Sequence, residues 1–323
     1  MTARTKSKVT PKYKTKYHVK NWPAYEASLR KRCDITFWFD EDAVDEWNAR
    51  PSGCPGGQRT YSDMAIVTTL TLRLVFRLAL RQTEGFVASL IRLMGLDLKT
   101  PDHTTLSRRH GNVEVPVLSR NHDGPIHLVV DSTGLKMCGD GEWHVHKHRT
   151  SNKRRSWRKL HLGVDEDGFI VASDLTKCSE DDASVGVTMI EDIEAVIERF
   201  TADGAYDTRA IYDALGATGV PDLRIVVPPR RTASSSPTAT GTWAQRNAAI
   251  ERIDLIGRRR WRKESGAHQQ AHAENAMFRY KRIIGDGLKG KKFRTQKTEV
   301  KIAVNVINRM TILGMPKSVA VVV

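Results

Sequence analysis

The chain has 323 residues, 40% hydrophobic and 28% charged, with 52 Lys and Arg against 37 Asp and Glu for a net charge of +15. That composition excludes a disordered chain and supplies material for one large domain or two ordinary ones, and the surplus of base points to a polyanion, above all nucleic acid. The longest apolar stretch, Met64 to Leu80, is interrupted by Arg73 and Arg77 and does not read as a membrane span. No apolar signal core is visible near the N-terminus. Cys33, Cys54, Cys138 and Cys178 show no C-x-x-C and no zinc-finger spacing, so a reduced, cytoplasmic protein is expected.

Residues 1–20 carry base and no acid, which predicts a flexible arm, either laid along phosphates or serving as a solubilising tail. Residues 21–61 mix Trp and Phe with Pro and Gly, and PSGCPGG from Pro51 marks a loop. Ser62 predicts the N-cap of a helix reaching Leu80. A second helix fits Thr83 to Met94, and a third, capped by Asp102 or Thr104, runs through LSRRH. This is the outline of a helix-turn-helix, with Arg108 and Arg109 as candidate DNA contacts, although tri-helical arrangements without a DNA role share it. Residues 21–120 are therefore read as a mostly helical DNA-binding region.

After Gly124-Pro125 the pattern becomes β. IHLVVDSTGLKM is a near-continuous apolar run, the mark of a strand buried on both faces. SWRKLHLGV and FIVASDLT are joined at DEDG and predict an antiparallel hairpin. A helix fits Asp182 or Ser184 to about Glu198, a short strand ends at Asp203, a helix fits Thr208 to Leu215, and LRIVVPP is a further buried strand. The order β-β-β-α-β-α-β predicts an α/β domain over 121–316, with a mixed sheet and helices on both faces. Past a polar loop at 230–241, helices are expected around 243–260, 270–284 and 296–313, and 317–323 form a tail.

Asp131 in VVDSTG and Asp203 in TADGAYD break apolar strand contexts. A carboxylate at the end of a buried strand is unfavourable unless a cation or hydrogen bonds compensate it. On neighbouring strands, about 4.8 Å apart, the two carboxylates converge, and a divalent cation is the usual resolution. Glu274, on a helix over that edge, would be the third arm. The plainer alternatives are a turn former or N-cap for each Asp, and an ordinary surface charge for Glu274.

The segments VVDSTGLKM, SWRKLHLGVD, TADGAYDT, AENAMFRYKRIIGDGL and IAVNVINRMTILGMP closely resemble bacterial insertion-sequence DDE transposases of the IS-five group, over about Tyr61 to Pro316. The resemblance implies an RNase H-like domain with a five-stranded sheet in the order 3-2-1-4-5. It also implies a catalytic, metal-binding triad of Asp131, Asp203 and Glu274 holding two Mg²⁺, with Mn²⁺ able to substitute. Lys281 matches the lysine of the family's Y-(2)-R-(3)-E-(6)-K signature, whereas its tyrosine and arginine positions are Ala267 and Gln270. His272, Gln269 and Arg262 are the candidates to replace that arginine. The implied function is a transposase that binds terminal inverted repeats in double-stranded DNA, hydrolyses the 3′ ends and joins them to target DNA, as a homodimer in the synaptic complex. The alternatives are an end-binding protein that no longer cuts and an RNase H-like structure-specific nuclease.

Further DNA contacts are expected from basic clusters. Arg154, Arg155, Arg158 and Lys159 surround Trp157, and Arg262 lies in GRRRWRK around Trp261; base interleaved with Trp suits a backbone groove with stacking platforms. Trp143 is a candidate to receive an unstacked base, or else plugs the core or caps the hairpin. Lys159 and His161 alternate with Leu160 and Leu162, so they face together and are expected beside Asp131. Lys281 follows Glu274 by two helical turns, about 10.5 Å along the axis, and is expected on a phosphate. Arg279 is either a second DNA contact or part of a solvated face.

Overall fold

In the computed structural model, which describes residues 16–321 except 52, 54, 117, 121–123 and 138–156, the first element is a short strand, β1 (Lys16–Val19). Helices α1 (Trp22–Lys31), α2 (Ile35–Trp38) and α3 (Glu41–Asp45) follow. Then come α4 (Asp63–Val75), α5 (Leu80–Leu93) and α6 (His103–Arg109). Ser62 caps α4, its hydroxyl accepting from the Ala65 amide at 3.0 Å. Asp102 caps α6 through the Thr104 and Thr105 amides.

The helix expected to reach Leu80 stops at Val75. Arg77 takes φ 54°, and the bonds Leu78 N to Arg73 O and Arg77 N to Leu74 O close a Schellman turn there. The Arg77 guanidinium then donates to the carbonyls of Arg282 and Ile283, far along the chain. A long-range contact thus overrides the local apolar pattern.

The main sheet contains β2 (Ile126–Met137), β3 (Trp157–Val164), β4 (Ile170–Lys177), β5 (Ile197–Ala202) and β6 (Arg224–Val226) in the order β4-β3-β2-β5-β6. The pairs β2–β3 and β3–β4 are antiparallel, whereas β2–β5 and β5–β6 are parallel. Counted from β2, this is the expected order 3-2-1-4-5. Parallel pairing demands crossovers, supplied by α7 (Asp182–Glu191) before β5 and α8 (Arg209–Ala217) before β6. The remaining helices are α9 (Thr242–Ile256), α10 (Arg258–Ser265), α11 (Ala271–Ile283) and α12 (Phe293–Leu313). The single helix expected at 243–260 is divided at Gly257, whose φ of 81° side-chain-bearing residues rarely adopt.

Two short pairings have no signal in the sequence. A two-residue strand, β7 (Gly287–Leu288), extends the sheet beside β2, and β1 pairs with β8 (Ser318–Val321). The part of the basic arm that the structure describes, from Lys16, is thus strand rather than free chain.

The two faces of the sheet are covered differently. Leu128 and Val130 face α7 and α8 with Met189, Ile190, Ile211 and Leu215. Val129, Leu135, Leu160 and Leu162 face α11 and α12 with Ala273, Ala276, Met277 and Tyr280. Ile66, Leu70 and Leu74 of α4 and Leu106 of α6 join this second cluster. The helical region and the sheet therefore share a core, and α12 extends it by packing Val306 and Met310 against Trp38, Trp47 and Leu72. Among the described residues no helix is long and apolar enough to cross a membrane.

Candidate active site

The last paired positions of parallel strands β2 and β5 are Val130 and Ala202, so Asp131 and Asp203 follow in register at one edge. Side chains alternate along a strand, and paired residues share a face. Asp131 and Asp203 accordingly emerge on the face that carries Val129 and Thr201, the face covered by α11. The Asp131 carboxylate accepts from the Ser132 amide at 2.7 Å. Burial pushes its pKa up to about 6, the nearby Asp203 and Glu274 carboxylates push the same way, and hydrogen bonds from Ser132 and Gln270 oppose them.

Asp203 is exposed and caps the turn Gly204–Tyr206, accepting from the Ala205 amide at 2.8 Å. The plain reading of this residue as a cap is thus correct locally, and it leaves the second carboxylate oxygen free of that bond. Glu274 occupies the first turn of α11 and is exposed. Small Ala273 and Ala276 bring that helix close over β2 and β3, which sets Glu274 near the edge where Asp131 lies.

These are three hard oxygen donors around one edge, with Asp131 carrying the electrostatic strain of the other two; in chemistry the set fits a divalent cation. In distance it is open: among the described residues no three His, Cys, Asp or Glu stand close enough together to hold an ion.

Lys281 donates to the Thr133 hydroxyl at 2.6 Å, and Thr133 lies two residues beyond Asp131 on the same face. Gln270 donates to the Val130 carbonyl at 3.0 Å, which holds its amide against Asp131. Ala267 is buried in a small cluster with Val226 and Trp261. Trp261 is consequently core and not the exposed stacking platform expected.

Several expected DNA contacts lie elsewhere. Lys159 and His161 do face together, but they pair with Gly134 and Ser132, so they project from the face opposite Asp131. His161 is fully buried, bonded to the Thr176 hydroxyl at 2.9 Å, and burial lowers its pKa. Lys159 binds Asp182 at 3.1 Å and the Glu180 carbonyl. Arg279 is half-buried, donates to the Thr311 hydroxyl at 2.9 Å, and has a pKa brought down to about 10 by burial. Arg109 bonds to Asp63 and the Tyr61 carbonyl, fastening α6 to α4, whereas Arg108 is exposed. Arg158 donates to Gln296 at 3.0 Å and stacks over Phe293. Trp143, Arg154 and Arg155 lie outside the described residues.

One cationic feature exceeds expectation. Arg230, Arg231, Arg258 and Arg262 line a cleft that ends at Asp203 and Gln270. Of these, Arg258 and Arg262 belong to the GRRRWRK cluster that stands out in the sequence. Arg230 and Arg231 come from the polar loop, and only folding brings them beside that cluster.

Two family models, both described as Transposase DDE domain, match residues 30–140 and 122–282. The chain belongs to the DDE transposases. The second match takes in Asp131, Asp203, Glu274 and Lys281, and the first spans α2 to α6 and all of β2. Transposases act on DNA, and the DDE class works with divalent metal ions. Neither match specifies an insertion-sequence group. The mixed sheet of this transposase, flanked by helices, accords with the RNase H-like domain of the class.

Proposed function

We propose that this transposase, of the IS-five type, binds the terminal inverted repeats of its element, hydrolyses the 3′ ends and joins them to target DNA, acting as a homodimer across two ends. The observation that carries the reading is the register of Asp131 and Asp203 at one sheet edge, with Glu274 close enough to raise the Asp131 pKa. Asp131, Asp203 and Glu274 would hold two Mg²⁺, or Mn²⁺ in their place, once the three carboxylates converge. Held by these carboxylates, the ions would supply charge stabilisation for a phosphodiester displacement. Gln270 holds Asp131 in place through its amide. Lys281, anchored on Thr133, is poised to turn its ammonium toward a phosphate of the strand being cut. Arg108 on the exposed side of α6 belongs to the repeat-binding surface.

The test is cleavage of a duplex carrying the element's terminal repeat, with and without Mg²⁺. Asp131→Asn, Asp203→Asn and Glu274→Gln should each lower cleavage by about 10³-fold or more while leaving repeat binding in EDTA intact. Unimpaired cutting by any of the three refutes its assignment.

A second reading, an end-binding protein that no longer cuts, is favoured by Gln270 and Ala267 at positions where the signature has arginine and tyrosine. It is distinguished by repeat binding without product at any metal concentration.

A further inference from the structure

Gly204 is the point at which two segments meet closely: a Cβ there would lie 3.2 Å from the Pro228 carbonyl. Its absence lets the Pro228–Arg231 segment approach the Asp203 turn. Buried Asp207 fastens the arrangement from behind, accepting from the Arg230 amide at 2.9 Å and from the Arg246 guanidinium of α9 at 2.6 and 3.1 Å. From the other side α10, starting directly after Gly257, presents Arg258 and Arg262 one turn apart. Arg258 spends one N–H on the Pro229 carbonyl at 2.7 Å, and Arg230 reaches the Ala205 carbonyl at 3.5 Å. Arg231 and Arg262 are exposed and have no hydrogen-bond or ion-pair partner among the described residues.

Four guanidiniums therefore line one cleft whose single carboxylate is Asp203, and none of the four forms an ion pair with an acid among the described residues. Like charges gathered on a rigid frame repel unless an anion joins them. Guanidinium donors are planar forks matched to phosphate oxygens, and the exposed arginine heads suit a polymer lying across the cleft better than an enclosed small molecule.

We propose that this cleft binds consecutive backbone phosphates of the DNA strand that passes Asp203, with Arg231 and Arg262 as its principal contacts and Arg258 and Arg230 shaping it. The cleft supplies, beside Gln270, the positive charge that residue 270 itself lacks. The inference rests on the DNA-cutting reading for the course of the strand, yet it is tested by binding alone.

The experiment compares wild type with the double variant Arg231→Gln/Arg262→Gln in EDTA, using fluorescence anisotropy with a duplex of arbitrary sequence over a range of salt. The double variant should bind about tenfold or more weakly at low salt. The slope of log affinity against log salt should become shallower by about 0.9 for each phosphate that the variant leaves unneutralised. A second double variant, Lys301→Gln/Lys317→Gln, removes the same charge from exposed sites outside the cleft and outside the helical DNA-binding region, and should behave as wild type.

Unchanged affinity and slope in the cleft variant would overturn the proposal, as would an equal weakening in both double variants. Unfolding midpoints measured in parallel should coincide, since the two cleft arginines are exposed and unpaired. If wild type cuts DNA while the cleft variant binds normally, the cleft assignment alone fails. If binding falls as expected but wild type cuts nothing under Mg²⁺, the cleft stands and the catalytic reading fails.

Discussion

Asp131 combines a buried setting with two carboxylate neighbours, which raises its pKa from 3.8 to about 6. A carboxyl whose native pKa is raised binds its proton more tightly folded than unfolded. In metal-free protein its contribution to stability is therefore full below pH 3.8 and is lost as pH rises through about 6. At neutral pH the ionised group opposes folding, so Asp131→Asn should raise the stability of chelator-treated protein by about 1 kcal/mol after allowance for solvent screening. Thermal unfolding in EDTA checks this: the variant should melt higher at pH 7 and show a flatter midpoint between pH 4 and 6. A lower midpoint at pH 7 would contradict the origin assigned to the shift. Arg279 behaves differently, because the same charge that suggests DNA in sequence here ties α11 to α12 through Thr311. Residue type names a capacity, and burial decides whether it faces a ligand or the protein itself.

Elements are legible in the sequence wherever a period or a cap is strong, as with the Ser62 and Asp102 caps, the β3–β4 hairpin and the long C-terminal helix. The misses lie where a backbone choice depends on distant partners. Arg77 ends α4 while binding carbonyls at the end of α11, and Gly257 divides α9 from α10. Among these elements the Asp207–Arg246 pair is the main strut, holding α9 and the Pro228–Arg231 segment to the Asp203 turn. The Asp207 side chain is fully buried and Arg246 only slightly exposed, so Asp207→Ala strands a buried guanidinium. The expected loss is about 3–5 kcal/mol in denaturant unfolding. A loss below about 1 kcal/mol would mean that the pair is not the strut described.

Across the whole chain, the helical region expected as a separate DNA-binding unit supplies Ile66, Leu70, Leu74 and Leu106 to the cluster that backs the sheet. A fragment beginning at residue 121 would expose that apolar face to water, at roughly 25 cal/mol per Å². It should show no cooperative thermal transition and should bind an apolar dye, whereas the full chain should unfold in one transition. A well-folded fragment would establish an independent catalytic domain. Asp131 and Asp203 stand out as candidates because buried strands advertise themselves as apolar runs, which the one interrupts and the other follows, whereas Glu274 joins them only through the family resemblance. The cleft as a whole is not legible, since the GRRRWRK cluster holds only Arg258 and Arg262, and Arg230 and Arg231 come from a loop distant in sequence.

The succession of strands and helices along the chain and the basic character that suits a polyanion can be read before folding, because they rest on local periodicity and composition, whereas the sheet order 3-2-1-4-5 and the set of three candidate acids come from the family resemblance. Which face each strand residue takes is set in three dimensions, and that choice moves Lys159 and His161 away from Asp131. A register shift of one position reverses the face of every side chain, and register is settled by neighbouring strands and packed helices. The same dependence on distant partners sets Gln270 against Asp131 and gathers four arginines beside Asp203.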